Sequence, residues 1–196
     1  MDFALAAASA IIGFVLLLAG IPKLTDNESV VRSIRGYKIL PSVLEAPVAR
    51  ALPIAETATG ILLVTGMARQ WAAGAAAIMF TSFFLGLTVN LLRGRRDLDC
   101  GCFAFGLGEI PRIGWFHAVR AGVLAVASLA IVVIGSSATL PLQVAGSALA
   151  LLLVLAGVAA AQIRSVVHLG RRPVDDYLTG ASIRLRAANA TSRYGA

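Results

Sequence analysis

Charge is what this chain has least of. Only 14% of its 196 residues are Asp, Glu, Lys or Arg, against 58% hydrophobic, and the mean hydropathy is +0.84. So little polar material cannot cover a soluble domain, which points to a polytopic membrane protein. Three stretches carry no charge at all: Phe3–Pro22, Gln70–Leu92 and Ala121–Ile163. Cysteine is scarcer still. The chain has two, Cys100 and Cys102, so any thiol chemistry is confined to one place. The N-terminus, Met1-Asp2-Phe3, lacks the basic segment that precedes a cleaved signal peptide, so the first apolar run is expected to be retained. Basic residues interleaved with aromatics are also missing. A net charge of +7 and a pI near 10.4 therefore do not indicate nucleic-acid binding. They fit basic loops against anionic lipid headgroups, making membrane lipids the expected contact.

What is present divides into spans and one polar island. A helix needs roughly 20 apolar residues to cross the hydrocarbon core. Phe3–Pro22 and Gln70–Leu92 fit one crossing each. Ala121–Ile163 is long enough for two and is broken by the turn-rich segment Gly135–Pro141. The fourth span therefore follows Trp115, with Arg120 about one turn inside, and the fifth runs from about Leu142 to Gln162. The remaining span, about Leu44 to Gly66, contains Pro53 and Glu56. The expected fold is an all-α membrane bundle of five spans. A membrane domain covers residues 1–165, and a basic, cytosolic, partly disordered tail covers 166–196.

Pro22 is expected to end the first helix, leaving Lys23 to reach the headgroups. Thr25–Leu44 is expected to be a polar loop with a short surface helix. The Ala- and Gly-rich start of the third span suits close packing inside the bundle. Phe80, Phe83 and Phe84 suit lipid or core. Five spans place every one of the seventeen Lys and Arg residues on one side except Arg69 and Arg120. The positive-inside rule then puts the N-terminus outside, and the 93–114 loop and C-terminus in the cytoplasm.

That loop holds the island Arg95–Gly106, RRDLDCGCFAFG. A thiol pair exchanges electrons with another dithiol through a mixed disulfide, and the attacking species is the thiolate. Cys-Gly-Cys spacing permits a strained intramolecular disulfide, and Gly101 relieves part of the strain. Arg93, Arg95 and Arg96 favour the thiolate, whereas Asp97 and Asp99 oppose it. Inert structural thiols are one competing role. A metal site completed by His117 is another, with Asp97, Asp99 or a partner's residue as fourth ligand. Glu56, Arg120 and Lys23 form a second constellation, in which Glu56 pairs with one of the cations as structural glue or carries protons for thiol oxidation. A non-catalytic membrane subunit and a small-molecule transporter are the competing classes. The latter has few polar candidates (Glu56, Arg120, Asn90 and Gln143).

Three segments carry a family resemblance: Ala19–Leu24 closing the first span, Pro53–Glu56 with Gly60 in the second, and Asp99-Cys100-Gly101-Cys102-Phe103 before the fourth. In this order the chain resembles the MauE/DoxX-like family of small bacterial membrane proteins, in its methylamine utilisation MauE branch. The likeness covers about residues 1–165. It implies a DoxX-like four-helix core, similar in architecture to the quinone-linked vitamin K epoxide reductase bundle, which makes a quinone a candidate cofactor. It also implies a place in the bacterial inner membrane and a part in maturing methylamine dehydrogenase, alongside a thioredoxin-like redox partner. Cys100 and Cys102 carry over as the motif cysteines, with Asp99, Glu56, Arg120 and Lys23 in support. Two positions depart from the pattern: Ala104-Phe105 intervenes before Gly106, and Ala121 replaces a polar residue.

Overall fold

The computed structural model describes residues 1–95, 113–135 and 139–169. They form six helices in the order α1 (Asp2–Thr25), α2 (Asn27–Tyr37), α3 (Ser42–Thr65), α4 (Arg69–Leu92), α5 (Trp115–Ile134) and α6 (Leu140–Leu169), with no strand among the described residues. All except α2 are long and apolar enough to cross a membrane. The five expected spans and the all-α class are therefore what the chain forms. By compactness it divides into residues 1–154 and residues 155–196. In the second unit the described residues are the last part of α6.

Within the first unit, α1 packs mainly on α3 and α4 mainly on α5. Small residues make the α1–α3 approach close. A Cβ on Gly13 would stand 2.8 Å from the Gly60 carbonyl oxygen, and one on Gly60 would stand 2.8 Å from that of Gly13. Lipid tails are as apolar as leucine, so such close packing replaces the hydrophobic effect as the force joining spans. Ile12, Leu16 and Leu63 continue this seam into a core closed by Ala72, Ala73, Ala76 and Phe80 of α4. The alanine-rich start of α4 is buried, as its composition suggested. The outward faces are apolar as well: Ile78, Leu85, Val119, Val126 and Val133 are all exposed, as a lipid-facing surface requires. Trp71 and Trp115, near the first residues of α4 and α5, are exposed where interfacial aromatics belong.

Two boundaries, the ends of α1 and α6, differ from expectation. Pro22 lies inside α1, which continues to Thr25. So near a helix end a proline forfeits one backbone bond, and here the Thr25 hydroxyl donates to the Pro22 carbonyl at 2.7 Å. α3 runs unbroken through Pro47 as well as Pro53. α6 passes the expected end at Gln162 and reaches Leu169.

The polar segment after α1 holds the surface helix α2. Asp26 caps it by accepting from the Ser29 amide at 3.1 Å, and Lys38 closes it in the left-handed conformation. Val30 is its buried anchor, and Arg35 Nε bonds Glu45 Oε2 at 2.9 Å, tying α2 to α3.

Candidate functional site

Among the described residues, one carboxylate is completely buried. Glu56 has no exposed surface and lies in the second half of α3. It faces α1 at Gly20, where a Cβ would stand 2.9 Å from the Glu56 Cβ and 2.7 Å from Thr57 Oγ1. Because α1 continues through Pro22, Lys23 stays inside the bundle and reaches this carboxylate. Its Nζ donates to Glu56 Oε1 at 2.8 Å and to Oε2 at 2.9 Å. The Lys23 side chain is only 12% exposed, so it does not extend to the headgroups as the sequence suggested. Its ammonium also stands 5.8 Å from the centre of the Phe83 ring, within cation–π range. An unpaired charge at such depth is costly. The bidentate contact offsets that cost without making the pair a net source of stability.

Arg120 approaches the same place from α5. Together with His117, Ala121 and Leu124 it lines a gap of about 20 Å³ shared with Glu56, Phe80 and Phe83, room for about one water molecule. Of the four expected supporting residues, Lys23 and Glu56 are therefore paired directly, Arg120 shares the small gap with Glu56, and Asp99 lies outside the described residues. His117 is the residue sequence reading placed elsewhere, as a candidate metal ligand beside the cysteines. Its signal was helical spacing: positions 117, 120, 121 and 124 fall on one face of α5. Ala121, the departure from the family pattern, is a small residue in the cavity wall. Among the described residues no cluster of His, Cys, Asp or Glu is suited to a metal.

Cys100, Cys102 and Asp99 lie outside the described residues. α4 ends in a two-bond cap: Gly94, with φ 73°, donates to the Leu91 carbonyl at 3.0 Å, and Arg95 N donates to the Asn90 carbonyl at 3.0 Å. Buried Asn90 reinforces the turn, donating from its amide to the Gly86 carbonyl at 3.0 Å and accepting from Arg95 Nη1 at 3.5 Å. The segment leaves α4 roughly two and a half turns beyond Phe83, and Ile113 resumes the packing against Leu87 and Leu91.

The remaining buried polar cluster lies between α3, α4 and α6. Arg69 Nη2 donates to Gln143 Oε1. Gln143 Nε2 donates to the Val64 carbonyl at 2.8 Å, and the Ser147 hydroxyl to the same carbonyl at 2.9 Å. These bonds satisfy carbonyls that the end of α3 leaves without helical partners. Arg69, an exception in the charge count, and Gln143, one of the few polar candidates for a transporter, thus act as a helix-end clamp.

The described residues form six helices, five of them long and apolar, with a buried lysine–glutamate pair joining α1 to α3, and these define an integral membrane helical protein. Over residues 1–136 it matches the family described as methylamine utilisation protein MauE. The chain belongs to that family. Methylamine utilization protein MauE of Methylophilus methylotrophus is 39% identical over 127 residues, covering 65% of this chain and 66% of that protein. Its namesake in Paracoccus denitrificans is 34% identical over 131 residues, covering 66% and 68%. That of Paracoccus versutus is 33% identical over 123 residues, covering 63% and 62%. The chain thus matches about two thirds of the length of these relatives. No solved structure matches it.

Proposed function

We propose that this protein is a thiol–disulfide redox protein of the bacterial inner membrane, serving methylamine utilisation by passing two electrons through Cys100 and Cys102. The observation that carries this is the Cys-Gly-Cys motif itself. The only two cysteines of a 196-residue chain stand one glycine apart on a polar segment between two spans. The names of the relatives supply the metabolic setting.

In the exchange, one thiolate attacks a sulfur of a partner disulfide and forms a mixed disulfide, releasing the partner's other sulfur as a thiolate. The second cysteine then attacks the bridging sulfur of its neighbour. The partner leaves as a dithiol, and Cys100–Cys102 becomes a disulfide. The same steps in reverse oxidise a partner dithiol. A thioredoxin-like protein is the partner class whose chemistry matches. The capped exit from α4 at Gly94–Arg95 gives the motif a fixed origin on the bundle. The Lys23–Glu56 pair joins α1 to α3, which supports the structural role of the two considered for Glu56. Basic residues flank the segment on both sides of the motif. On the opposite side Arg69 is buried and bonded to Gln143. Both features support a cytoplasmic segment and an outer N-terminus.

Single-cysteine variants test this. With the resolving thiol removed, Cys100→Ser or Cys102→Ser accumulates a mixed disulfide with glutathione disulfide, visible as a mass gain on the remaining cysteine. The wild type passes on to its internal disulfide. If neither variant forms the adduct and the wild type stays reduced, the motif is inert and the protein is a non-catalytic membrane subunit.

A further inference from the structure

Next to the buried ion pair, α1, α2, α3 and α4 enclose a cavity of about 530 Å³ that the thiol chemistry does not use. It falls within the roughly 300–1,000 Å³ of small-molecule sites, and its walls are mostly apolar. Val30 and Ile34 of α2, Val48 and Leu52 of α3, and Leu87 of α4 are among the apolar lining. Two further wall residues, Ile39 and Leu85, are exposed, which gives a hydrocarbon tail an apolar way out toward lipid. We infer that this cavity binds a lipid-soluble quinone, with a headgroup carbonyl accepting a hydrogen bond from Lys23 Nζ.

The charge around Lys23 selects the occupant. An ammonium carries three donors. Glu56 takes two of them, leaving one for the cavity that Lys23 also lines. Lys23 is already neutralised by Glu56, and Asp26 stands in the same wall. An anionic headgroup would bring a surplus negative charge into a low-dielectric space, where such repulsion is strong. A neutral carbonyl satisfies the donor and adds no charge. The cavity therefore fits a neutral acceptor with an apolar body and tail.

Choosing a quinone among such molecules rests on the thiol reading. Closing two thiols into a disulfide releases two electrons and two protons, the amount a quinone takes up on becoming a quinol. The cavity and the cysteine segment share α4: Gly86 and Val89 line the former, and the latter leaves from Leu92.

The test is photolabelling of the full-length protein in detergent with an azidobenzoquinone probe, with and without excess decylubiquinone, the labelled peptides being mapped by mass spectrometry. Label confined to α2 and the second half of α4 and removed by the competitor supports the site. Gly86 sits at the wall, where a Cβ would lie in ordinary contact, 3.7 Å from Tyr37. Gly86→Phe fills the cavity and lowers competed labelling by about tenfold or more. Val48→Phe does the same from the opposite wall, so a folding defect in one variant leaves the other decisive. A thermal midpoint near wild type certifies folding. Label in the wild type that decylubiquinone does not compete, or that both folded occluding variants leave unchanged, overturns the inference. The Cys100→Ser/Cys102→Ser variant is expected to retain competed label. Competed label in a protein whose cysteines never oxidise rejects the thiol reading alone. Uncompeted label beside cysteines that do cycle rejects the quinone site alone.

Discussion

Lys23 and Glu56 meet inside a bundle that offers few other polar groups, and neither can be removed singly without exposing the other to hydrocarbon. Lys23→Met strands the fully buried Glu56 carboxylate. It is expected to lower unfolding stability in detergent by about 3–5 kcal/mol, the usual cost of breaking a buried pair. Lys23→Met/Glu56→Met replaces both charges by apolar groups of similar volume and is expected to recover most of that loss. Denaturant titration of the two variants measures the difference; equal losses in both would show that the pair itself, not the stranded charge, sets stability. The sequence made Glu56 conspicuous as a charge in an apolar run, with two cations as alternative partners. It did not choose between them. The choice depends on where α1 ends, and Pro22 suggested an end one turn too early. His117 was missed because it stands only two residues into α5, where helix-face periodicity has barely begun.

At the scale of the elements, the α1–α3 seam depends on how near two backbones can come. Gly13→Ala would drive a methyl against the Gly60 carbonyl oxygen and Val64, each 2.8 Å from an ideal Cβ. The expected loss is about 1–3 kcal/mol from overpacking. Gly74→Ala, in α4, meets nothing within 4 Å. It is expected to be neutral or to gain up to about 1 kcal/mol from helix propensity. Thermal unfolding of the two variants in one detergent compares them directly; equal behaviour would remove the seam from the account. The spans themselves were legible because charge-free runs and turn residues mark them sharply. The short helix α2 was expected within a polar stretch, but not its bounds, since its caps, Asp26 and Lys38, are local signals without an apolar run. That α1 pairs with α3 and α4 with α5 was not legible, because the glycines at 13, 20 and 60 show where a backbone can approach but not which partner comes.

Over the whole molecule, five spans alternate direction, so the end carrying Lys23, α2 and the start of α5 is also the end from which the cysteine segment leaves. The ion pair and the cavity of α1–α4 lie toward that end. Membership in the MauE family, together with this geometry, makes dithiol–disulfide interconversion at Cys100 and Cys102 the central claim. The most direct measurement is alkylation of native membrane vesicles with a membrane-impermeant maleimide, after oxidant and again after reductant, counting the tags on Cys100 and Cys102 by mass. The expected result is no tag after oxidation and two tags after reduction. Labelling should occur in inside-out vesicles and not in sealed right-side-out ones. Two tags after both treatments, even in permeabilised vesicles, would contradict the redox claim; labelling from the outer face alone would keep the redox chemistry and reverse the orientation.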